Sequence, residues 1–166
     1  IGDYAFYGCS SLQEIQYPSD SKLTTIGESA FSNSGLLKAT VPAGVTVIPE
    51  YAFAECSGLK EINLPSGLKE LPYAVFKDCT SLETITIPSG IKKIDFDTFL
   101  NCTSLKSVYI PSSVTEINNG AFGVCTSLSD IFFEGSMLKW KLVDGLYGVL
   151  GNKKDDWCYG SGDFII

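Results

Sequence analysis

The 166 residues contain no histidine and no arginine, and only 19% are charged. Without histidine there is no Ser-His-Asp triad, no Cys-His nucleophile pair and no imidazole ligand for a metal. Without arginine, and with 19 acidic residues against 12 lysines for a net charge of −7, the chain lacks the basic face that nucleic acid requires. The same acidity argues against an anionic membrane surface as a direct partner. No apolar run approaches the ~18 residues of a membrane span, and no signal-peptide pattern is present. No Cys-x-x-Cys occurs, and Gly145, Gly148 and Gly151 lack the Gly-Lys-Ser/Thr ending of a phosphate loop. The acidic pairs Asp95/Asp97 and Asp155/Asp156 fall in turns, where such pairs are too common to mark a glycosidase. The sequence carries no reaction signature, and neither a cofactor nor a metal is expected.

What the sequence does have is a period. Phe6, Phe31, Phe53, Phe76, Phe99 and Phe122 are separated by 25, 22, 23, 23 and 23 residues. The long first interval comes from a two-residue insertion in Ser19-Asp20-Ser21-Lys22. The short second interval reflects one missing residue after Phe31, which by alignment with Phe53 to Leu59 is the cysteine. Self-similarity at this period means stacked supersecondary units, each unable to bury its own apolar face alone. Within one unit Leu82, Ile85, Ile87, Ile91, Ile94 and Phe99 are the apolar positions, with Cys102 three beyond. Leu-x-x-Ile-x-Ile reads as a short strand, ended by Pro88, which has no N–H to donate. Ile91-Lys92-Lys93-Ile94 follows, so each coil is expected to carry a strand on one side and a looser extended or 3₁₀ segment opposite.

The pattern Cys-x-x-Leu-x-x-Ile-x-Ile-Pro-x-x-Val-x-x-Ile-x-x-x-Ala-Phe resembles the 23-residue, BspA-like (Treponema-type) leucine-rich repeat. Ala5-Phe6, Ala30-Phe31, Ala52-Phe53 and Ala121-Phe122 match it, while Val75 and Thr98 replace the alanine. The resemblance implies a right-handed leucine-rich-repeat solenoid of short parallel β-strands stacked coil on coil, with a C-terminal α/β cap. Residues 1–133 form the repeats, about six coils with the first incomplete, and 134–166 the cap. It also implies a bacterial or protist surface or secreted protein that adheres to host or microbial proteins.

Cys9, Cys56, Cys79, Cys102 and Cys125 all lie three residues after a repeat phenylalanine. They are expected to stack as an internal ladder of small buried hydrophobes rather than to form disulfides, because equivalent side chains in register point the same way. Cys158 stands outside this ladder. Gly44, Gly67 and Gly90 lie two residues after a proline, where positive φ is expected although Ser113 shares the position. Tyr73 and Phe96, one period apart, are expected as vertical neighbours packing on a turn. The sequon Asn101-Cys102-Thr103 is a by-product of the repeat.

The exposed strand positions are where a partner would be recognised. Their central column is Gln16, Thr40, Asn63, Thr86, Tyr109 and Phe132, running from polar to aromatic. It is either an ordinary solvated sheet face or a binding surface with Tyr109 and Phe132 as anchors. Three functions stay open: a protein-recognition or adhesion module, a rigid spacer presenting another domain, and a carbohydrate-binding module.

At Glu134 the period breaks. Leu138, Leu142, Leu146 and Leu150 recur every four residues, with Trp140, Val143, Tyr147 and Val149 between them, and suggest a short helix folded over the last coil. Gly135 to Trp140 resembles the caps of this repeat class. Residues 157–166 are expected to return as a final strand, with Trp140, Trp157 and Tyr159 as cap core or, alternatively, a ligand platform. The opening Ile1-Gly2-Asp3-Tyr4-Ala5-Phe6 matches Ile26-Gly27-Glu28-Ser29-Ala30-Phe31, so the chain is expected to be part of a longer polypeptide.

Overall fold

The alternation at the end of each Leu-x-x-Ile-x-Ile segment turns the middle residue of a three-residue strand inward. The computed structural model describes residues 1–140, 142–143 and 164–165, and there each such segment is one rung of a ladder. The strands are β1 (Lys38–Thr40), β2 (Glu61–Asn63) and β3 (Thr84–Thr86), each exposed, buried, exposed along its length. After the two-residue β4 (Lys93–Ile94) come β5 (Ser107–Ile110), β6 (Glu116–Ile117) and β7 (Asp130–Phe133).

Pairing is parallel and one repeat out of phase, with Ala39 opposite Ile62, Ile85 opposite Val108 and Val108 opposite Ile131. The ladder divides between β2 and β3, where Glu83 N–H still reaches Lys60 O at 3.3 Å. The opposite side of the coil is more regular than the sequence suggests: β4 pairs with β6, and Leu71 bridges Ile94. No 3₁₀ turn occurs among the described residues.

The third side is the corner around each phenylalanine. In the coil of Phe76, Val75, Lys77 and Cys79 donate back to Pro72 O, Ala74 O and Phe76 O (3.2–3.4 Å), closing three successive turns. The intervening N–H groups of Ala74, Phe76 and Asp78 point the other way, to Phe96 O, Thr98 O and Leu100 O of the next coil (2.8–3.2 Å). Every N–H in this stretch is thereby bonded, as a buried backbone requires. The geometry needs two left-handed residues per coil, one two positions before the phenylalanine and one two after. All twelve have φ between 51° and 77°, and ten are not glycine, among them Tyr51, Ala74 and Val124.

Gly44, Gly67 and Gly90 are not among them, so the expected positive φ is overturned. At Gly44 and Gly90 the constraint is close approach, though not at Gly67: a Cβ on Gly44 would lie 2.7 Å from Leu23 O of the preceding coil, and one on Gly90 would collide with Leu68 O. Ser113 turns the same contact into a hydrogen bond, Oγ to Ile91 O at 2.7 Å.

The core is a column of rings. Phe6, Phe31, Phe53, Phe76, Phe99 and Phe122 stack in sequence with centroids 5.1–5.9 Å apart and planes within 3–19°. A fully buried phenylalanine stabilises by about 1.5–3 kcal/mol through burial alone, with more from ring contact. Beside the rings runs the thiol ladder: Cys56, Cys79, Cys102 and Cys125 each donate to the carbonyl of a phenylalanine in the preceding coil at 3.1–3.2 Å. These four and Cys9 are free thiols, but Cys9 is exposed rather than buried as expected, and the ladder comprises the other four.

The residue missing after Phe31 is not the cysteine. Ser34 is buried in its place, with its N–H on Phe31 O (3.2 Å) and its Oγ 3.3 Å from Cys56 Sγ, and the deletion falls in the turn that follows. Thr98, where the repeat has alanine, satisfies its hydroxyl inside the core on Asp95 O at 2.7 Å.

Beyond β7, Ser136 Oγ accepts from Lys139 N–H (3.2 Å) and caps a single helical turn, α1 (Met137–Trp140). Of the leucine stripe, the described members Leu138 and Leu142 are exposed, while Val143 is buried. The strand β8 (Phe164–Ile165) returns antiparallel to β7, pairing Phe132 with Ile165. Leu146, Tyr147, Val149, Leu150, Trp157, Cys158 and Tyr159 lie outside the described residues, as does the side chain of Trp140. No described helix is long and apolar enough to cross a membrane.

Candidate binding surface

Strand alternation puts every second side chain on the outer face, and parallel pairing in phase stacks equivalent positions into columns. Thr40 is opposite Asn63, and Thr86, Tyr109 and Phe132 are opposite one another in turn. Gln16 sits at the same level one coil earlier, beside Thr40 along a shared depression of about 520 Å³. Five of the six are exposed and Phe132 is half-buried. Asn63 Nδ2 donates to Thr40 Oγ1 (3.4 Å), so the polar end of the column partly satisfies itself. The flanking columns are tied by exposed ion pairs, Glu14 to Lys38 (3.5 Å) and Glu83 to Lys106 (3.0 Å). The Lys106 ammonium holds the Glu83 carboxyl below its usual range.

At the other end Tyr109 and Phe132 stack with centroids 4.5 Å apart and planes 7° from parallel. They border a groove of about 520 Å³ that runs from Thr86 along Pro88 and Pro111 to Glu134. A more polar depression of about 460 Å³ lies at the division of the ladder, between Asn63 and Thr86. The alternation gave no reason to include the prolines or Glu134. The signal was present in the constant spacing of proline after each strand, which makes Pro88 and Pro111 a column with Glu134 as its next member.

Tyr73 and Phe96 lie on adjacent coils, joined by Ala74 N–H to Phe96 O (3.2 Å), but the Tyr73 ring turns to the earlier coil. It meets Tyr51 edge-on at 5.3 Å, leaving Phe96 half exposed. The hydrogen bond that the Tyr51 hydroxyl makes to Tyr73, aided by desolvation, favours its protonated form and pushes it up to about 12. No cluster of metal-ligating side chains occurs among the described residues.

The family model for the BspA type leucine rich repeat region matches residues 1–106 and 24–141, six copies in all. A leucine rich cell surface protein from Faecalibacterium prausnitzii is 33% identical over 86% of this chain, with a TM-score of 0.67. The T. pallidum leucine rich repeat protein is 32% identical over 79% (TM-score 0.60), and a leucine-rich repeat protein from Bacteroides ovatus 26% identical over 81% (0.61). The chain spans 31%, 50% and 46% of those three proteins, respectively. No curated protein matches it. The repeat, its stacked parallel strands and the family match lead to one conclusion: the chain belongs to the BspA type leucine-rich repeat family.

Proposed function

We propose that the chain is a non-enzymatic protein-recognition module of a cell-surface or secreted protein, binding its partner through the exposed face of the repeat sheet. The observation that carries this reading is the stacked pair Tyr109 and Phe132, held on adjacent strands beside an open groove. Rigid aromatic rings are the side chains most often responsible for affinity at protein interfaces, and ordering them costs little entropy. The surface location is supported by the Faecalibacterium protein, which is described as a cell surface protein. The partner is a surface or matrix protein of a host or another microbe.

The test is binding of the intact chain to an array of extracellular-matrix proteins and glycans, beside the double variant Tyr109→Ala/Phe132→Ala. Saturable protein binding that the double variant loses supports the reading. A folded chain that binds nothing overturns it in favour of a rigid spacer, for which the uninterrupted ring column and coil-to-coil hydrogen bonds speak. Glycan binding alone favours a carbohydrate module.

A further inference from the structure

Phe132 covers one face of the Tyr109 ring, and the other looks toward Thr86, whose short side chain cannot cover it. Tyr109 is accordingly 43% exposed, and the step from ring to threonine makes a wall above a shallow floor. That floor is largely apolar, and two of its backbone donors are already used: Ile87 N–H is bonded to Tyr109 O (2.9 Å) and Glu134 N–H to Ile110 O (2.8 Å). Pro88 and Pro111 have no N–H to offer. A sugar, which needs many hydrogen-bond partners, is poorly served here, whereas an apolar side chain is well served.

The far end differs. Glu134 is exposed, is the one charged residue bordering the groove among the described residues, and has no ion-pair partner there. In a chain of net charge −7 with no arginine, that carboxylate is complementary to a cation supplied from outside. The two ends are separated by strands β3, β5 and β7, two spacings of about 4.8 Å, or about 10 Å. An extended peptide rising about 3.3 Å per residue covers that distance in about three residues.

We propose that this groove binds an extended peptide segment that lays an apolar or aromatic side chain against Tyr109 and presents a lysine or arginine three residues away to Glu134. The proposal rests on the strand-face reading above and specifies its ligand.

The test uses the intact chain and fluorescent decapeptides in a Gly/Ser background, carrying one phenylalanine or leucine and one lysine or arginine at separations of one to six residues, followed by anisotropy. Binding should be saturable and tightest at a separation of three. Glu134→Gln should weaken it about tenfold, and should leave unchanged the binding of a peptide whose lysine is replaced by norleucine. Tyr109→Ala should abolish it; both residues are exposed, and unchanged thermal melts show that the variants fold. Affinity indifferent to separation, or indifferent to Glu134→Gln, overturns the proposal. So does glycan binding lost in Tyr109→Ala with no peptide bound. Protein binding that survives Glu134→Gln but is lost with Thr40→Ala/Asn63→Ala overturns this proposal and leaves the strand-face function standing.

Discussion

Two residues in each coil hold a backbone conformation that L-amino acids avoid, and the side chains found there are not equally suited to it. Val124 is the least suited, since a β-branched residue at φ 58° crowds its own carbonyl, and it is 59% exposed, so it contributes little burial in return. Val124→Asn should stabilise the protein by about 1 kcal/mol, visible as a raised midpoint in urea unfolding. This column, Gly8, Asn33, Glu55, Asp78, Asn101 and Val124, is largely of types that tolerate the left-handed region, and the period alone located it without naming its conformation. Its companion column, Tyr4, Ser29, Tyr51, Ala74, Asp97 and Gly120, is too mixed to be read, because the demand arises from bonds to the next coil rather than from local preference.

The thiols carry a second prediction. Burial raises the pKa of Cys56, Cys79 and Cys102, and pushes Cys125 from 9.0 up to about 11. Folding therefore favours the protonated thiol, and that stabilisation is complete below pH 9 and lost as pH rises through 11. The melting temperature should hold up to about pH 9 and fall beyond it, with a shallower fall in Cys125→Ser. At pH 8, iodoacetamide should label Cys9, which is exposed, and spare Cys79 and Cys102 until the chain unfolds, as read by mass spectrometry.

At the scale of elements the ring column and the proline corners decide stability. Phe76 has a ring on each side and no exposure, so Phe76→Ala should cost about 3–5 kcal/mol. Phe6, 36% exposed with one ring neighbour, should cost less than half as much, and the two midpoints measured side by side decide the matter. Gly90→Ala forces a methyl group into Leu68 O and should destabilise by about 1–3 kcal/mol. Gly67→Ala meets only Thr46 Cγ2, at 3.5 Å, and should be neutral or stabilising by up to about 1 kcal/mol. These paired outcomes separate close approach from conformational freedom, which the sequence cannot do, since both are written with the same residue. The strand face was legible from alternation at Thr86, Tyr109 and Phe132. The proline spacing marks Pro88, Pro111 and Glu134 as a column but not that this column borders a groove, which depends on how the rings of Tyr109 and Phe132 pack beside it.

For the whole molecule, each coil touches only its neighbours, so stability is shared along a line. Amides of the central coils, such as Ile85 and Val108, should exchange with deuterium last and those around Tyr4 to Gly8 first, as resolved by hydrogen-exchange NMR. The strand ladders send hydrogen bonds both ways along the axis. The corner does not: each inter-coil N–H there, from Tyr4 onto Glu28 O through to Asn101 onto Gly123 O, points toward the later coil. That side of the solenoid therefore has a sense of direction: at every boundary between described coils the earlier coil supplies the amides and the later one the carbonyls. A coil turned end for end within the stack would meet carbonyl with carbonyl on one side and amide with amide on the other, so the coils can follow one another only in a single orientation.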